Sequence, residues 1–201
     1  MQTVTCVVAS LFLICLMASS STLVNVHSFP KLNVPVYSLA TSDPTTGKTN
    51  FNIVTYANQV SISPVIWSLS LYKNTASFDS FVERPWGVLQ LLKQDIDPEV
   101  VCLLGKTSGK DVDKMARLQT LGVKLKPLFV ESFGQEILIM EDLVEACVVL
   151  TQREAEGDQK SRFDAGDHEL ILCDPVEYFV NDNKELIEPL TTGCLRDLKV
   201  I

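Results

Sequence analysis

The sequence predicts a mainly β domain, an antiparallel barrel with a few peripheral helices. Three observations carry this. Short β-branched and aromatic runs of similar length recur along the chain, turn residues separate them, and few stretches between them have helical character. There are no internal repeats, low-complexity tracts or interdomain linkers, so residues 32–201 read as one domain.

The elements follow in order. Val34 to Thr41 is the first strand, and Asp43-Pro44-Thr45-Thr46-Gly47 is a turn with Pro and Gly in suitable places. Phe51 to Tyr56 returns as the second arm of a hairpin. Val65 to Leu71 is a third strand, Ser77 to Glu83 a short helix, and Trp86 to Leu92 a strand buried on both faces. Pro98 to Leu104 is helical, with Pro98 in the first turn. Gly105 to Lys110 is a polar loop. Asp111 to Leu121 is a helix stopped by Gly122. Leu143 to Leu150 is a strand, and Arg153 to Asp164 a charged, mobile loop. His168 to Val180 is the longest strand, where Pro175 requires an edge or a bulge. Asn181 to Lys184 turns the chain, and Cys194 to Ile201 ends it as a helix or tail.

Before this domain, no charged side chain precedes Lys31. Val7 to Ala18 is nearly all apolar, and Ala18-Ser19-Ser20-Ser21 is small and polar. That is the pattern of a signal peptide over residues 1–28, with Val26-His27-Ser28 as the cleavage zone and entry into the secretory route. An uncleaved anchor and a bipartite plastid leader are the alternatives. The net charge of −8 excludes a nucleic-acid binder and docking on an anionic membrane surface, so no membrane contact is expected beyond the leader. Cys102, Cys147, Cys173 and Cys194 form no CxxC pair, which argues against a zinc ribbon or a thioredoxin motif.

One constellation stands out. Asn52, Thr55, Tyr56, Asn58, Lys73 and Thr75 crowd two neighbouring strand ends with amides, hydroxyls, an aromatic ring and a cation. A phosphate needs neutral donors at short range plus a cation. A flat polar ring needs amide partners and an apolar bed, to which Tyr56, Val60 and Trp67 contribute. Thr and Asn are also ordinary at strand ends, so the residues alone leave a plain structural role open. Gly105 to Asp111 superficially resembles a P-loop. It has one residue too few between its glycines, and Asp111 stands where magnesium needs a hydroxyl. His168 is the one histidine outside the leader. Carboxylates surround it at Asp164, Asp167 and Glu169, but strand alternation turns Glu169 to the opposite face, so no metal site is expected. With no Gly-x-Ser-x-Gly elbow, a hydrolase has no support.

The order of these strings resembles the flavin reductase-like, FMN-binding split-barrel family. The resemblance runs from Val34 to Ile201. It rests on Asn50 through Pro64, then Tyr72-Lys73-Asn74-Thr75, Ser108-Gly109-Lys110-Asp111, Ala165-Gly166-Asp167-His168 and Leu195-Arg196-Asp197-Leu198. It implies a Greek-key split β-barrel, a homodimer, and FMN with NAD(P)H as electron donor. Hydride would pass from the nicotinamide to the flavin. It also implies that Asn52, Thr55, Tyr56, Asn58, Lys73 and Thr75 hold the cofactor and that His168 orients the nicotinamide. The chain departs from the family pattern at Phe51-Asn52-Ile53, Ala57 and Gln90. Those departures motivate the alternative of a non-enzymatic flavin binder or electron carrier.

Overall fold

Asp43 sets the first hairpin. Its Oδ1 accepts the backbone N–H groups of Thr45 and Thr46 at 3.0 and 2.6 Å, and Gly47 completes the turn at φ 70°. This locks β1 (Tyr37–Ser42) against β2 (Thr49–Val54), with Tyr37 opposite Val54. The computed structural model describes residues 31–155, 157, 159–180 and 188–201. Within it Leu32–Ile201 is one compact unit.

Next come β3 (Ala57–Ile62) and β4 (Val65–Tyr72), hairpin partners joined through Ser63-Pro64. Helix α1 (Ala76–Glu83) starts where the Thr75 hydroxyl accepts the Phe78 N–H. After β5 (Trp86–Leu92), the Asp97 carboxylate caps α2 (Pro98–Lys106) and the Asp113 carboxylate caps α3 (Lys114–Thr120). β6 (Leu125–Val130) and β7 (Gln135–Met140) form a separate ribbon, turned by Gly134 at φ 59°. β8 (Val144–Gln152), β9 (Arg162–Ala165), β10 (His168–Val180) and α4 (Thr192–Asp197) complete the described chain.

All ladders are antiparallel, and the main sheet runs β2-β1-β5-β8-β10-β4-β3, with β9 added on β10. Laid flat, that order would hold β2 and β3 roughly 29 Å apart. Only Thr55 and Tyr56 separate them in sequence, a reach of at most about 11 Å. The sheet therefore curls until its two edges approach at this corner. Among the described residues no ladder joins β2 to β3, so the expected barrel is an open curl.

The curl has two apolar faces. One cluster, including Phe51, Val88, Leu104, Leu118 and Met140, fills the space under α2, α3 and the β6–β7 ribbon. The other, including Leu39, Leu69, Leu89, Leu150 and Ile171, fills the opposite face, with Phe81 of α1 packed into it. β5 feeds Val88 to the first and Leu89 to the second, which explains its unbroken apolar run.

Several expectations change. The polar run Ala57–Ile62 is an edge strand, not a turn. The β6–β7 ribbon had no counterpart in the sequence reading. The end of the charged loop pairs with β10 as β9. Helix α3 starts at Lys114, because the N–H groups of Asp111 and Val112 turn back to the Ser108 carbonyl and leave Asp113 as the cap. The register shift at Pro175 is the bulge that residue required. The turn at Asn181 to Lys184 lies outside the described residues. All four domain cysteines are free, and burial pushes the Cys147 and Cys173 thiols up to about 12. Among the described residues no helix is long and apolar enough to cross a membrane.

Candidate functional site

The corner where the sheet edges meet opens into a cavity of about 240 Å³. β2 runs along it, from Asn50 at one end to Thr55 and Tyr56 at the other, a distance of about 17 Å at strand rise. The ends of β4 and α2, the start of α1 and the loop Thr107 to Gly109 supply the other walls.

At the Asn50 end the wall is polar and closely fitted. Asn50 Nδ2 donates to Ser77 Oγ at 2.7 Å. A Cβ on Gly109 would fall 2.1 Å from Asn50 Oδ1, so any larger residue there would have to displace the Asn50 side chain from this wall. Lys114, 4% exposed, belongs to the same wall. Its Nζ donates to the carbonyls of Phe51 and Leu104 at 2.9 and 2.8 Å, and no carboxylate pairs with it among the described residues. Burial drags its ammonium down to about 8. The sequence reading passed over Lys114, yet a signal exists. Lys114, Leu118 and Leu121 fall at i, i+4 and i+7 on the buried face of α3, where a lysine is out of place.

Halfway along, Asn52 lines the cavity, and its Oδ1 is buried with no hydrogen-bond partner among the described residues. Such an acceptor calls for a donor.

The other end is aromatic. His168, opposite Tyr72 in the β4–β10 ladder, has its ring 5.7 Å from that of Tyr56 and 5.4 Å from that of Tyr72. The Asp167 carboxylate lies 2.8 Å from its Nδ1. A carboxylate there favours the ring proton on Nδ1 and leaves Nε2 as the acceptor of a neutral imidazole. The same contact holds the Asp167 carboxyl below the usual range. Gly166, at φ 84°, makes the tight turn between β9 and β10 that brings Asp167 and His168 here.

Of the residues singled out in the sequence, Asn52, Thr55, Tyr56, Thr75 and His168 line this one cavity. The Thr75 hydroxyl is already engaged, donating to the Tyr72 carbonyl at 2.8 Å and accepting from Phe78. Asn58 lies outside the cavity, exposed on β3. Lys73 also lies outside it. Its ammonium bonds Asp164 Oδ1 at 2.8 Å and the Gly166 carbonyl at 2.7 Å, and so braces the β9–β10 turn. That contact, with the Gly166 N–H behind it, holds the Asp164 carboxyl down. Among the described residues no group of His, Cys, Asp and Glu is arranged to hold a metal.

No family model matches the chain, and no curated protein does. Solved structures do. An FMN-binding protein from Thermus thermophilus, with bound 1-cyclohex-2-enone, matches at TM-score 0.61 and 15% identity, covering 85% of this chain and 84% of that one. The Streptomyces globisporus NADH:FAD oxidoreductase SgcE6 matches at 0.58 and 11%, covering 80% and 81%. A Sinorhizobium meliloti protein, SMa0793, matches at 0.59 and 16%, but the chain spans only 46% of its length. At these identities the likeness is one of fold. The curled β sheet with peripheral helices is the fold of FMN-binding split-barrel proteins.

Proposed function

We propose that the chain is an FMN-binding oxidoreductase of the flavin reductase-like kind, taking hydride from NADH or NADPH. The observation that carries this reading is the buried, unpartnered Asn52 Oδ1, halfway along a cavity that is polar at one end and aromatic at the other. The graded wall suits a phosphorylated polyol with a flat ring. Asn52 offers an acceptor where ribityl hydroxyls have donors, and Thr55 has a hydroxyl beside it. Tyr56 and Tyr72 offer ring faces at the mouth.

Bound flavin supplies the hydride acceptor, which no side chain provides. The chain's own residues bind and orient. Asp167 holds the imidazole of His168, leaving Nε2 to accept from a nicotinamide carboxamide. Lys73 and Asp164 steady the turn that carries both. Hydride transfer needs no acid–base dyad.

The alternative, a flavin carrier without reductase activity, draws on the departures in the sequence. Phe51 and Ala57 are buried in the core, and Gln90 accepts the Met140 N–H on its Oε1 at 2.9 Å, while its Nε2 is buried without a partner among the described residues. A visible absorption spectrum of the purified protein, after FMN is added and excess removed, tests both. A retained band that bleaches anaerobically with NADH or NADPH is the expected result. A retained band that does not bleach selects the carrier. No retained band and no turnover of free flavin ends the reading.

A further inference from the structure

Two lysines stand near this cavity, and the sequence points to the wrong kind of environment for one of them. Lys73 is half-buried at the surface and already has a carboxylate and a carbonyl on its ammonium. Lys114 is almost fully buried and has no carboxylate among the described residues. An ammonium has three donors. Phe51 O and Leu104 O take two of them, and both are neutral. Among the described residues, one N–H and the positive charge have no match, in a wall of the cavity. A buried cation in that condition is costly unless something anionic joins it.

We infer that Lys114, not Lys73, receives the phosphate of the ligand, so that a phosphate monoester sits at the Asn50–Gly109 end and the ring lies toward His168. The assignment rests on the flavin reading for the ring, but its phosphate half stands by itself. The charge distribution along the cavity agrees. Asp167, bonded to His168, is held ionised beside the aromatic mouth and disfavours a dianion there, whereas the Asp164 charge is matched by Lys73. Ser108, in the wall beside Lys114, accepts the Lys110 N–H on its Oγ and keeps its own hydroxyl proton for a ligand. The acids nearest Lys114 in sequence, Asp111 and Asp113, line a neighbouring surface cleft that Lys114 also borders, and among the described residues neither forms an ion pair with it. The depressed Lys114 ammonium is what an unmatched buried charge shows, and an arriving phosphate would raise it again. The length of β2 between Asn50 and Thr55 leaves room for a ribityl chain past Asn52.

The test compares FMN with riboflavin, which differ only in the phosphate. On the full-length protein, FMN should bind about tenfold or more tightly than riboflavin, as a charge-assisted contact gives. Lys114→Met should bring the two affinities together while leaving that for riboflavin intact, and Lys73→Met should keep the FMN preference. An FMN preference that survives Lys114→Met, or is lost in Lys73→Met, overturns the assignment. Lys114 also staples two carbonyls, so its loss also weakens the fold. A second measurement therefore uses the unmodified protein with 13C-labelled lysine. One lysine Cε resonance should titrate near 8, and inorganic phosphate should move that midpoint upward. A midpoint indifferent to phosphate overturns the inference. If neither FMN nor riboflavin binds, the flavin reading fails alone, and the phosphate-dependent midpoint still decides Lys114.

Discussion

Lys114 lines one end of the cavity and Lys73 lies outside the other, next to Tyr72, and the two are held in opposite ways. Lys73 follows Tyr72 out of the mouth and meets Asp164 and Gly166 across a partly solvated turn. Lys114 enters the inner wall from the first turn of α3, and among the described residues its ammonium meets only peptide carbonyls. The surface lysine is satisfied by the protein itself, and its task is to hold a hairpin in place. The buried one has two of its three N–H groups placed on carbonyls, and neither acceptor balances its charge. A sequence motif of Lys, amide and hydroxyl marks the first, whereas the second shows only as a polar residue on an apolar helix face. Charge left unmatched by the fold is a better pointer to a ligand than charge that looks well surrounded in sequence.

The largest expected effect tests the burial of Lys114 directly. Burial lowers its folded ammonium from the ordinary 10.5 to about 8. Between those values the unfolded chain binds more protons than the folded one, so stability rises with pH across that window. Below pH 8 both states are protonated and the full burial penalty is felt. Unfolding free energy of the ligand-free protein should therefore gain on the order of 3 kcal/mol relative to Lys114→Met between pH 8 and pH 10.5. Cys147 and Cys173, both raised to about 12, act with the opposite sign above about pH 9, and raised Tyr37 does so above 10. They are common to both proteins and cancel in the difference. Denaturant melts at several pH values would show it, and a flat difference would mean Lys114 is solvated after all.

His168→Gln probes the other end. Without the ring, nothing at the mouth is held by Asp167 in the same direction. Flavin reduction by NADH or NADPH should slow by up to about a hundredfold, the order expected when a bound partner is misplaced. FMN affinity should hardly move, because the phosphate end is far along β2. A matching loss of FMN affinity would instead put the phosphate near His168 and reverse the ligand.

How much of this was legible in the sequence depends on which physical signal each part used. The β1–β2 hairpin was readable because Asp43 and Gly47 act locally. β5 was readable because a strand buried on both faces is apolar throughout, and β10 because a long β-rich run leaves no other choice. β3 was missed because an edge strand needs few apolar residues, and Val60 and Ile62 are in fact exposed. The β6–β7 ribbon was missed although Gly134 marks its turn, because Pro127 interrupts the apolar run. At the site, Asn52, Thr55 and Tyr56 came from local crowding on one strand end. Lys114 reaches Phe51 only through packing of α3 on β2, a contact between distant parts of the chain that local crowding cannot show.

Asn52→Leu has a smaller effect that separates binding from folding. The buried Oδ1 has no partner among the described residues, so its removal deletes an unsatisfied group and should leave the melting temperature unchanged or raised. If a ribityl hydroxyl is the missing donor, FMN and riboflavin should both weaken by about 1 kcal/mol. Calorimetric titration with each ligand reads this. A change for FMN alone would place Asn52 beside the phosphate rather than the chain.

Lys73→Met should have the smallest effect, and its form matters more than its size. The ammonium ties Tyr72's neighbour to the β9–β10 turn at two points, while the backbone N–H of Lys73 also donates to the Asp167 carbonyl at 3.0 Å and survives the change. The turn keeps its Asp164–Gly166 bond at 2.8 Å as well. The hairpin therefore persists but loses its side-chain brace, and the imidazole beside it is less well placed. A few-fold rise in KM for the nicotinamide, with the FMN affinity untouched, is the expected signature. High salt should imitate it in the unmodified protein, because the Lys73–Asp164 pair is open to screening. The Lys114 contact, shielded in the wall, should be much less sensitive to the same salt. Equal salt sensitivity at both ends would remove the distinction between the two lysines.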